Sequence, residues 1–458
     1  MKLTVKENSK NYLCAVVEIK ELFPIEGADR IVRTVIFGNN VIVSKDVKIG
    51  DKMLYFVSGT KLNPDFCKWN DLLTDADQNR NKKVGYISYK QFRVKAIKLK
   101  GVISDGMLLP INSLEFLSGN HQIVSSLKVG DEFTDIDDIS ICEKYIIPSN
   151  QRGGGNGTPR QKSAKISRLV ENQFYFHNDT DNFRKNTHKV DPNDIIGVHY
   201  KKHGTSVVIG NVLVKKTLSW YEKLLQKFGI NIVNIEYDII YSSRKVVKNG
   251  FLETPNAKSY YKTDIWGDVK EEIKDKIPKN FTIYGEILGY TSDGAFIQHS
   301  YDYGCDYKTH KFYVYRITCV NPDGKTIELT DKQIEEFCEK HGLLYKDTFI
   351  FYGKARDLFN KLNLKHKFWL SPDLDNFRDW QENFTKLLEM EYNEKDCYMC
   401  KTKVPEEGIV IRKEALDHYE AYKLKSRRFL LQESDLQEKE MTNLEDNQET
   451  EENNESTD

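Results

Sequence analysis

The segment Pro148-Ser-Asn-Gln-Arg-Gly-Gly-Gly-Asn-Gly-Thr-Pro159 constrains this chain more than any other. Its composition is that of a flexible linker. It divides the 458 residues into an N-terminal unit and a larger C-terminal one. At roughly 100–200 residues per domain, the length allows two to four domains. Arg152, Arg160, Lys162 and Lys165 make the break basic. A glycine run can cradle a phosphate, but the Walker pattern needs Gly-Lys-Ser/Thr behind it, and that is missing here.

Upstream of the linker the chain reads as strands. Ile31-Val-Arg-Thr-Val-Ile-Phe37 and Val41-Ile-Val-Ser44 flank Gly38-Asn39-Asn40, which predicts a hairpin turning on those three residues. Met53–Val57 follows a turn at Gly50-Asp51, and Phe92–Lys100 alternates in part. Short strands in such density predict a small barrel of the oligonucleotide-binding (OB) kind, or a generic β-sandwich. Downstream, strands are expected at Ile232–Tyr241, Phe281–Leu288, Phe312–Val320 and Gly408–Arg412, with a short helix from Trp220 to Phe228. Thr330 and Gln333 form a capping box ahead of Ile334, Phe337 and Cys338. Ser371-Pro372-Asp373 supplies a cap and a first-turn proline. Leu374, Phe377, Trp380, Phe384, Leu387 and Leu388 then share one helix face. The C-terminal unit reads as α+β.

Composition narrows the function. Apolar residues are 39% of the chain and aromatics 12%, enough for buried cores. No apolar run approaches the roughly 20 residues of a membrane helix, and the first residues lack a signal-type hydrophobic region. Eight scattered cysteines do not make a disulfide scaffold. A cytoplasmic location is the default expectation. The net charge of −1 hides an asymmetry: residues 432–458 hold 11 acids and one Lys, which leaves the remaining chain at +9. A basic body invites a polyanionic partner. The acidic segment has no aromatic, so 432–458 is expected to be a disordered tail.

Four short segments carry candidate chemistry: Tyr200-Lys201-Lys202-His203-Gly204-Thr205-Ser206, Tyr284-Gly285-Glu286-Ile287-Leu288-Gly289, Glu407-Gly408-Ile409-Val410-Ile411-Arg412 and Tyr422-Lys423-Leu424-Lys425. Alternation along a strand puts Glu286 on the face of Tyr284, and Lys423 on the face of Lys425. Two ammonium groups side by side are costly unless water or an anion lies between them. Paired glutamates elsewhere suit a divalent cation, which prefers oxygen ligands. Each segment alone is weak. Lys98-Leu99-Lys100-Gly101 offers a similar Lys-x-x-Gly inside the expected barrel.

The ordered set resembles the covalent nucleotidyltransferase superfamily of polynucleotide ligases and messenger-RNA capping enzymes. Lys201, Glu286, Phe312-Tyr-Val-Tyr315, Glu407-Gly408 and Lys423-x-Lys425 fill its motif slots in order. Lys-x-His-Gly-Thr-Ser, Ser242-Ser-Arg-Lys245 and Tyr301-Asp-Tyr-Gly304 are similar to the Deinococcus-type RNA ligases, RNA ligase family 5. Those carry an OB-like module ahead of the transferase domain. Ala28-Asp-Arg-Ile-Val-Arg33, Val43-Ser-Lys-Asp-Val-Lys48, Leu62-Asn-Pro-Asp-Phe-Cys67 and Ser104-Asp-Gly-Met-Leu-Leu-Pro110 are similar to that module. The resemblance implies an OB-like barrel over 1–115, a connector with the linker over 116–165, and a nucleotidyltransferase domain over 166–431 built of antiparallel sheets and helices.

It also implies the chemistry. Lys201 attacks ATP to form lysyl-AMP, AMP passes to a 5′-phosphate end, and a 3′-hydroxyl displaces AMP, the expected partner being RNA or a nicked RNA/DNA duplex. Lys423 and Lys425 assist at the phosphate and Glu286 contacts the ribose. Phe312 stacks on adenine, and Glu407 holds Mg²⁺ or Mn²⁺. Tyr200, Lys202, His203, Gly204 and Arg244 complete the nucleotide site. A monomer without membrane contact is expected. Three positions depart from the pattern: His203 stands where Asp is common, Tyr200 where Glu is, and Arg316 where Asp follows the aromatic strand. A DNA ligase, a GTP-dependent capping-type transferase and a non-enzymatic nucleic-acid-binding protein are the competing readings. The barrel is expected to engage the polynucleotide through Arg93, Lys95, Lys98 and Lys100, and to lie outside the nucleotide site. Cys397-Tyr-Met-Cys400 lacks two further zinc ligands nearby and is read as structural or incidental.

Overall fold

The computed structural model describes residues 1–117, 126–146, 168–244, 247, 263–367 and 377–438. The linker Pro148–Pro159, the cap at Ser371-Pro372-Asp373 and residues 439–458 lie outside these. No helix among the described residues is long and apolar enough to cross a membrane.

In the N-terminal module, one antiparallel sheet runs in the order Met107–Pro110, Lys52–Phe56, Cys14–Glu18, Glu132–Phe133. Alternation sends Cys14, Val16, Leu54 and Phe56 into one core and Ala15, Val17, Met53 and Tyr55 into another. Burial on both faces explains why these strands are apolar almost without interruption. The Ile31–Ile36 and Asn39–Ser44 strands form the expected hairpin, but its turn is Phe37-Gly38, with φ of +48° and +74°. A two-residue turn of this kind matches the strand twist. Asn39 and Asn40 belong to the ladder, and the Asn39 amide is buried, donating to the Tyr55 hydroxyl at 3.1 Å. Of the expected Phe92–Lys100 strand only Ala96–Leu99 forms, paired with Val102–Asp105.

The module also extends beyond residue 115. Glu132–Phe133 pairs with the Cys14–Glu18 strand, Asp135–Ile136 with Leu3–Thr4, and Cys142–Lys144 with Thr60–Leu62. These strands are two or three residues long, too short to show a readable period where a connector was expected.

The C-terminal unit holds two five-stranded sheets. The first runs Ile235–Ser242, Thr205–Lys215, Phe281–Gly289, His310–Val320, Thr326–Glu328. The second runs Asp181–Asn182, Glu420–Lys425, Gly408–Lys413, Ile195–Lys201, Phe349–Lys354. One face of the second sheet, with Val198, Ile409, Ile411, Tyr422 and Leu424, packs on Leu358, Phe359, Trp380 and Phe384 of two helices, Ala355–His366 and Phe377–Leu388. His199, Lys201, Val410, Arg412, Lys423 and Lys425 are thereby left to the other face. The Asp331–His341 helix starts on its expected capping box: Thr330 N–H donates to Gln333 Oε1 at 2.9 Å, and Gln333 N–H to Thr330 Oγ1 at 3.3 Å.

The expected acidic tail is corrected at its start. Residues 432–438 are turns of a helix, Arg427–Glu438. Its apolar side is sufficient for this because Phe429 is buried against Tyr301 and His203. The helix straps the two units together. Ser434 Oγ accepts from Arg93 Nη2 at 3.3 Å and from Ala96 N–H at 3.2 Å, and Glu438 pairs with Lys95. Arg427 donates to the Gly38 carbonyl at 3.1 Å. Arg93 and Lys95 are therefore bound by the strap and are not an open strand-binding surface. Ending the chain at residue 431 should cost about 1–3 kcal/mol through the lost Ser434 and Glu438 contacts. Ending it at 438 should leave the melting temperature unchanged. Thermal denaturation of both truncations checks this, and equal melting temperatures would show that the strap adds no stability.

Candidate active site

The three central strands of the second sheet place the lysines by register. Lys201 is opposite Gly408, and Gly408 is opposite Lys425. Glu407 precedes Gly408, so its carboxylate falls between two ammonium groups. Its Oε1 lies 2.8 Å from Lys201 Nζ and 3.8 Å from Lys425 Nζ. The Glu407 side chain is only 2% exposed. Gly408 makes this approach possible: it sits at φ +144°, and a Cβ there would lie 2.2 Å from the Leu424 carbonyl oxygen. Lys423 faces the same cavity. Burial, then the charges of Lys425, Lys144 and Arg244, outweigh the attraction of Asp179 and push its amine down to about 8.

The first sheet supplies the facing wall. Glu286 accepts from Gly204 N–H at 3.1 Å and from Ser206 Oγ at 3.2 Å. A Cβ on Gly204 would meet the Ile287 carbonyl at 2.3 Å, so only glycine lets its amide reach Glu286. The Tyr315 hydroxyl joins Ser206 Oγ at 3.3 Å and His177 Nδ1 at 2.6 Å. Arg244 pairs with Asp179. Although burial opposes it, Arg244 with Lys423 and Lys144 holds the Asp179 carboxyl well below the usual range.

A pocket lined by lysines, with a carboxylate between two of them, has the charge to hold phosphate groups. Residues 198–425 match the family model for RNA ligase. The chain carries an RNA ligase domain. Residues 13–111 match an OB-fold domain, so an OB-fold domain precedes the RNA ligase domain in one α+β chain, a ligase enzyme. No curated protein matches the chain. Among solved structures, a lysine-to-alanine variant of Naegleria gruberi RNA ligase with ATP and Mn is 14% identical over 95% of this chain and 99% of that one, with a TM-score of 0.53. A glutamate-to-alanine variant with ATP and Mn is 16% identical over 92% and 99%, with a TM-score of 0.55. The same ligase with PPi is 15% identical over 93% and 99%, with a TM-score of 0.54. At these identities the likeness is one of fold.

Within the RNA ligase domain, the structure brings Lys201, Lys423, Lys425, Glu407, Glu286 and Arg244 to one cavity. Tyr200 and Lys202 are at its wall. The Lys202 ammonium is buried, 2.9 Å from Glu406 Oε1, and sits between the Tyr200 and Tyr398 rings. Burial, more than Lys202 opposes it, pushes the Glu406 carboxyl up to about 8. Two expectations are corrected. Phe312 is in the core with Val207, Ile209 and Ile287, its ring packed over Gly285. Alternation turns Tyr313 and Tyr315 to the cavity instead. His203 also leaves the site. The lysine strand ends at Lys201, and beyond it the His203 ring packs on Tyr301 and Phe429, with centroids at 5.3 and 4.9 Å.

Arg316, the third departure, is neutralised nearby. Its Nε lies 2.9 Å from Glu328 Oε2, and its guanidinium sits over the Tyr284 and Tyr419 rings. Sequence reasoning missed Tyr12 and Lys144 of the N-terminal module, Asp179 before the lysine strand, and Glu433 on the strap. All four line the cavity. They lie outside the motif segments, so no local spacing could reveal them. The N-terminal module is thus part of the cavity wall.

Proposed function

We propose that the chain is an ATP-dependent RNA ligase of the Deinococcus type that joins 5′-phosphate and 3′-hydroxyl ends at nicks. The observation that carries this is Lys201 Nζ, held 2.8 Å from Glu407 beside Lys423 and Lys425 in one cavity. An amine must be deprotonated to attack phosphorus. Lys201 stands at the end of its strand with Glu407 Oε1 2.8 Å away, and that carboxylate takes the ammonium proton so that the free amine attacks the α-phosphate of ATP. Its nitrogen bonds to phosphorus, and pyrophosphate leaves. The lysyl-AMP passes AMP to a 5′-phosphate oxygen, and a 3′-hydroxyl oxygen then displaces AMP. Lys423 and Lys425 stabilise the charge that develops on phosphorus. Glu286 is oriented by Gly204 and Ser206 toward the ribose. Tyr313 or Tyr315 takes the stacking role that Phe312 cannot.

Among the described residues no group of three His, Cys, Asp or Glu side chains is placed to hold a metal ion. Mg²⁺ is usually held by one or two carboxylates plus substrate phosphates, so Glu407 alone fits it. The ion, when bound, supplies positive charge to the phosphates. Incubation with labelled ATP or GTP and Mg²⁺, followed by a denaturing gel, tests the assignment. Label from ATP on the protein is expected. Label from GTP alone would favour a capping-type transferase, and no label from either would end the enzymatic proposal.

Lys423 adds a pH signature. Below about 8 it is charged and attracts phosphate. As pH rises through about 8 it loses its proton, so binding must then supply that proton. Affinity for a non-reactive ATP analogue should fall above pH 8, approaching tenfold per unit. Lys423→Arg keeps the charge and should remove that fall. A flat titration of the unaltered protein from pH 7 to 10 would count against a phosphate role for Lys423.

A further inference from the structure

Cys397-Tyr-Met-Cys400 stands close to the lysine strand, yet none of its four residues lines the cavity beside Lys201. The two cysteines flank a two-residue turn and pack into one apolar cluster with Tyr301, Tyr303 and Val404. The turn closes a short hairpin: Asp396 bridges Pro405, and Cys397 N–H donates to the Val404 carbonyl at 2.8 Å. That hairpin runs directly into Glu406 and Glu407, the partners of Lys202 and Lys201. From the middle of the turn, the Tyr398 ring lies 5.2 Å from the Tyr200 ring and 4.6 Å from the Lys202 ammonium. Its hydroxyl donates to the Asp347 carbonyl. The two thiols differ in character. Cys400 hydrogen-bonds the Cys397 sulfur, which, with the charge of Lys202, lowers Cys397 against its burial and raises Cys400. A buried cation beside one thiol of a Cys-x-x-Cys pair is the setting of a reactive cysteine. Cys14 and Cys142 are also neighbours, in the core of the N-terminal module, but burial pushes both thiols up. All of these cysteines are free.

We propose that Cys397 and Cys400 form an oxidation site at which hydrogen peroxide closes a disulfide, and that the closed turn slows lysyl-AMP formation at Lys201. The second half rests on the ligase reading above. The Cys397 sulfur attacks one peroxide oxygen and the O–O bond breaks. The sulfur is oxidised to a sulfenic acid, and the other oxygen leaves with the thiol proton as water. The Cys400 sulfur then attacks the sulfenic sulfur. The S–O bond breaks, the S–S bond forms, and the hydroxyl leaves with the Cys400 proton as a second water. Cys397 is buried, so the oxidant must be small. A disulfide holds its two Cβ atoms about 3.5–4.5 Å apart, so closing it resets the turn between them. Tyr398 is carried by that turn. Its displacement uncovers Lys202, the neighbour of Lys201, and shifts the hairpin that delivers Glu406 and Glu407.

The test uses the full chain, reduced and then exposed to increasing hydrogen peroxide. Remaining thiols are alkylated, and the digested protein is read by mass spectrometry. The peptide spanning Cys397 and Cys400 should lose the mass of two hydrogens while Cys14 and Cys142 are still alkylated. Single-turnover labelling by ATP, run on the same samples, should slow about tenfold, the scale of a small misplacement near reacting groups, and should recover with dithiothreitol. Cys400→Ser should label normally before oxidation, form no disulfide, and hold Cys397 as a sulfenic acid that dimedone traps. Cys397→Ser should lose both the trapped adduct and the reversible slowing. Oxidation of Cys14 or Cys142 ahead of this pair, or no disulfide at the turn, overturns the oxidation site. A disulfide that leaves labelling unchanged overturns its hold on Lys201. Absence of label from ATP on the reduced protein would sink the ligase reading, and the mass measurement would still decide the oxidation site.

Discussion

Lys201→Ala should abolish covalent labelling of the protein by ATP. The loss should be on the order of 10⁴-fold or more, the scale seen when a nucleophile is removed from a working site. The argument is geometric. Lys201 Nζ is in the cavity with Glu407, Lys423 and Lys425. Its neighbour Lys202 cannot replace it, because the Lys202 ammonium is 2% exposed and bound to Glu406. Lys423 and Lys425 share the face of Lys201 but stand two strands away, with the Gly408–Lys413 strand between. Lys201→Arg should fail equally, since a guanidinium stays charged and cannot attack. Lys98→Ala is the control: it lies on an exposed strand of the N-terminal module, and its loss should change nothing. Labelling is read on a denaturing gel after brief incubation with labelled ATP. Label retained on the Lys201→Ala protein would move the nucleophile elsewhere.

Glu407→Ala should be the next most damaging change. The carboxylate is nearly fully enclosed and separates two ammonium groups, at 2.8 and 3.8 Å. Without it, Lys201 and Lys425 face each other with no charge between them. Both lysines keep about a fifth of their side-chain surface in contact with water, so the stability cost is about 2–3 kcal/mol, below that of a fully buried pair. The chemical cost adds to it, because the side chain best suited to hold a divalent ion is gone. Lysyl-AMP formation should slow by about 10²–10³-fold. The concentration of Mg²⁺ needed for half-maximal rate should rise. Glu407→Gln keeps the shape and one acceptor, so it should recover stability and little of the rate. Single-turnover labelling across a Mg²⁺ titration separates these effects. A Glu407→Ala protein with the unaltered metal requirement would leave Glu407 a purely structural partner of Lys201.

What could be read from the sequence follows from what is local. The Thr330–Gln333 cap is legible because both partners are three residues apart and act on each other's backbone. The strands carrying Glu286 and Lys423, and the one that starts just after Glu407, are legible because their apolar residues mark them. Register is harder. The sequence orders Phe312-Tyr-Val-Tyr315 as one aromatic run, and only the pairing with Glu286 decides that Tyr313 shares its face while Phe312 points to the core. His203 was misplaced for a related reason: alternation holds only while the strand lasts, and the strand stops at Lys201. The acidic composition of 432–458 outweighed the one buried aromatic, Phe429, that precedes it and anchors a helix. Lys144, Tyr12 and Asp179 reach the cavity through tertiary structure alone.

The strap also sets an order of assembly. A ribosome releases the N-terminal module first and Arg427–Glu438 after every other described element, so Arg93 and Lys95 wait for partners more than 330 residues downstream. Contacts of such sequence separation form late, because a long loop must close before they yield anything. The barrel and the ligase sheets can each collapse on their own cores beforehand. The cavity is complete only when the last helix docks and brings Glu433 to Lys425.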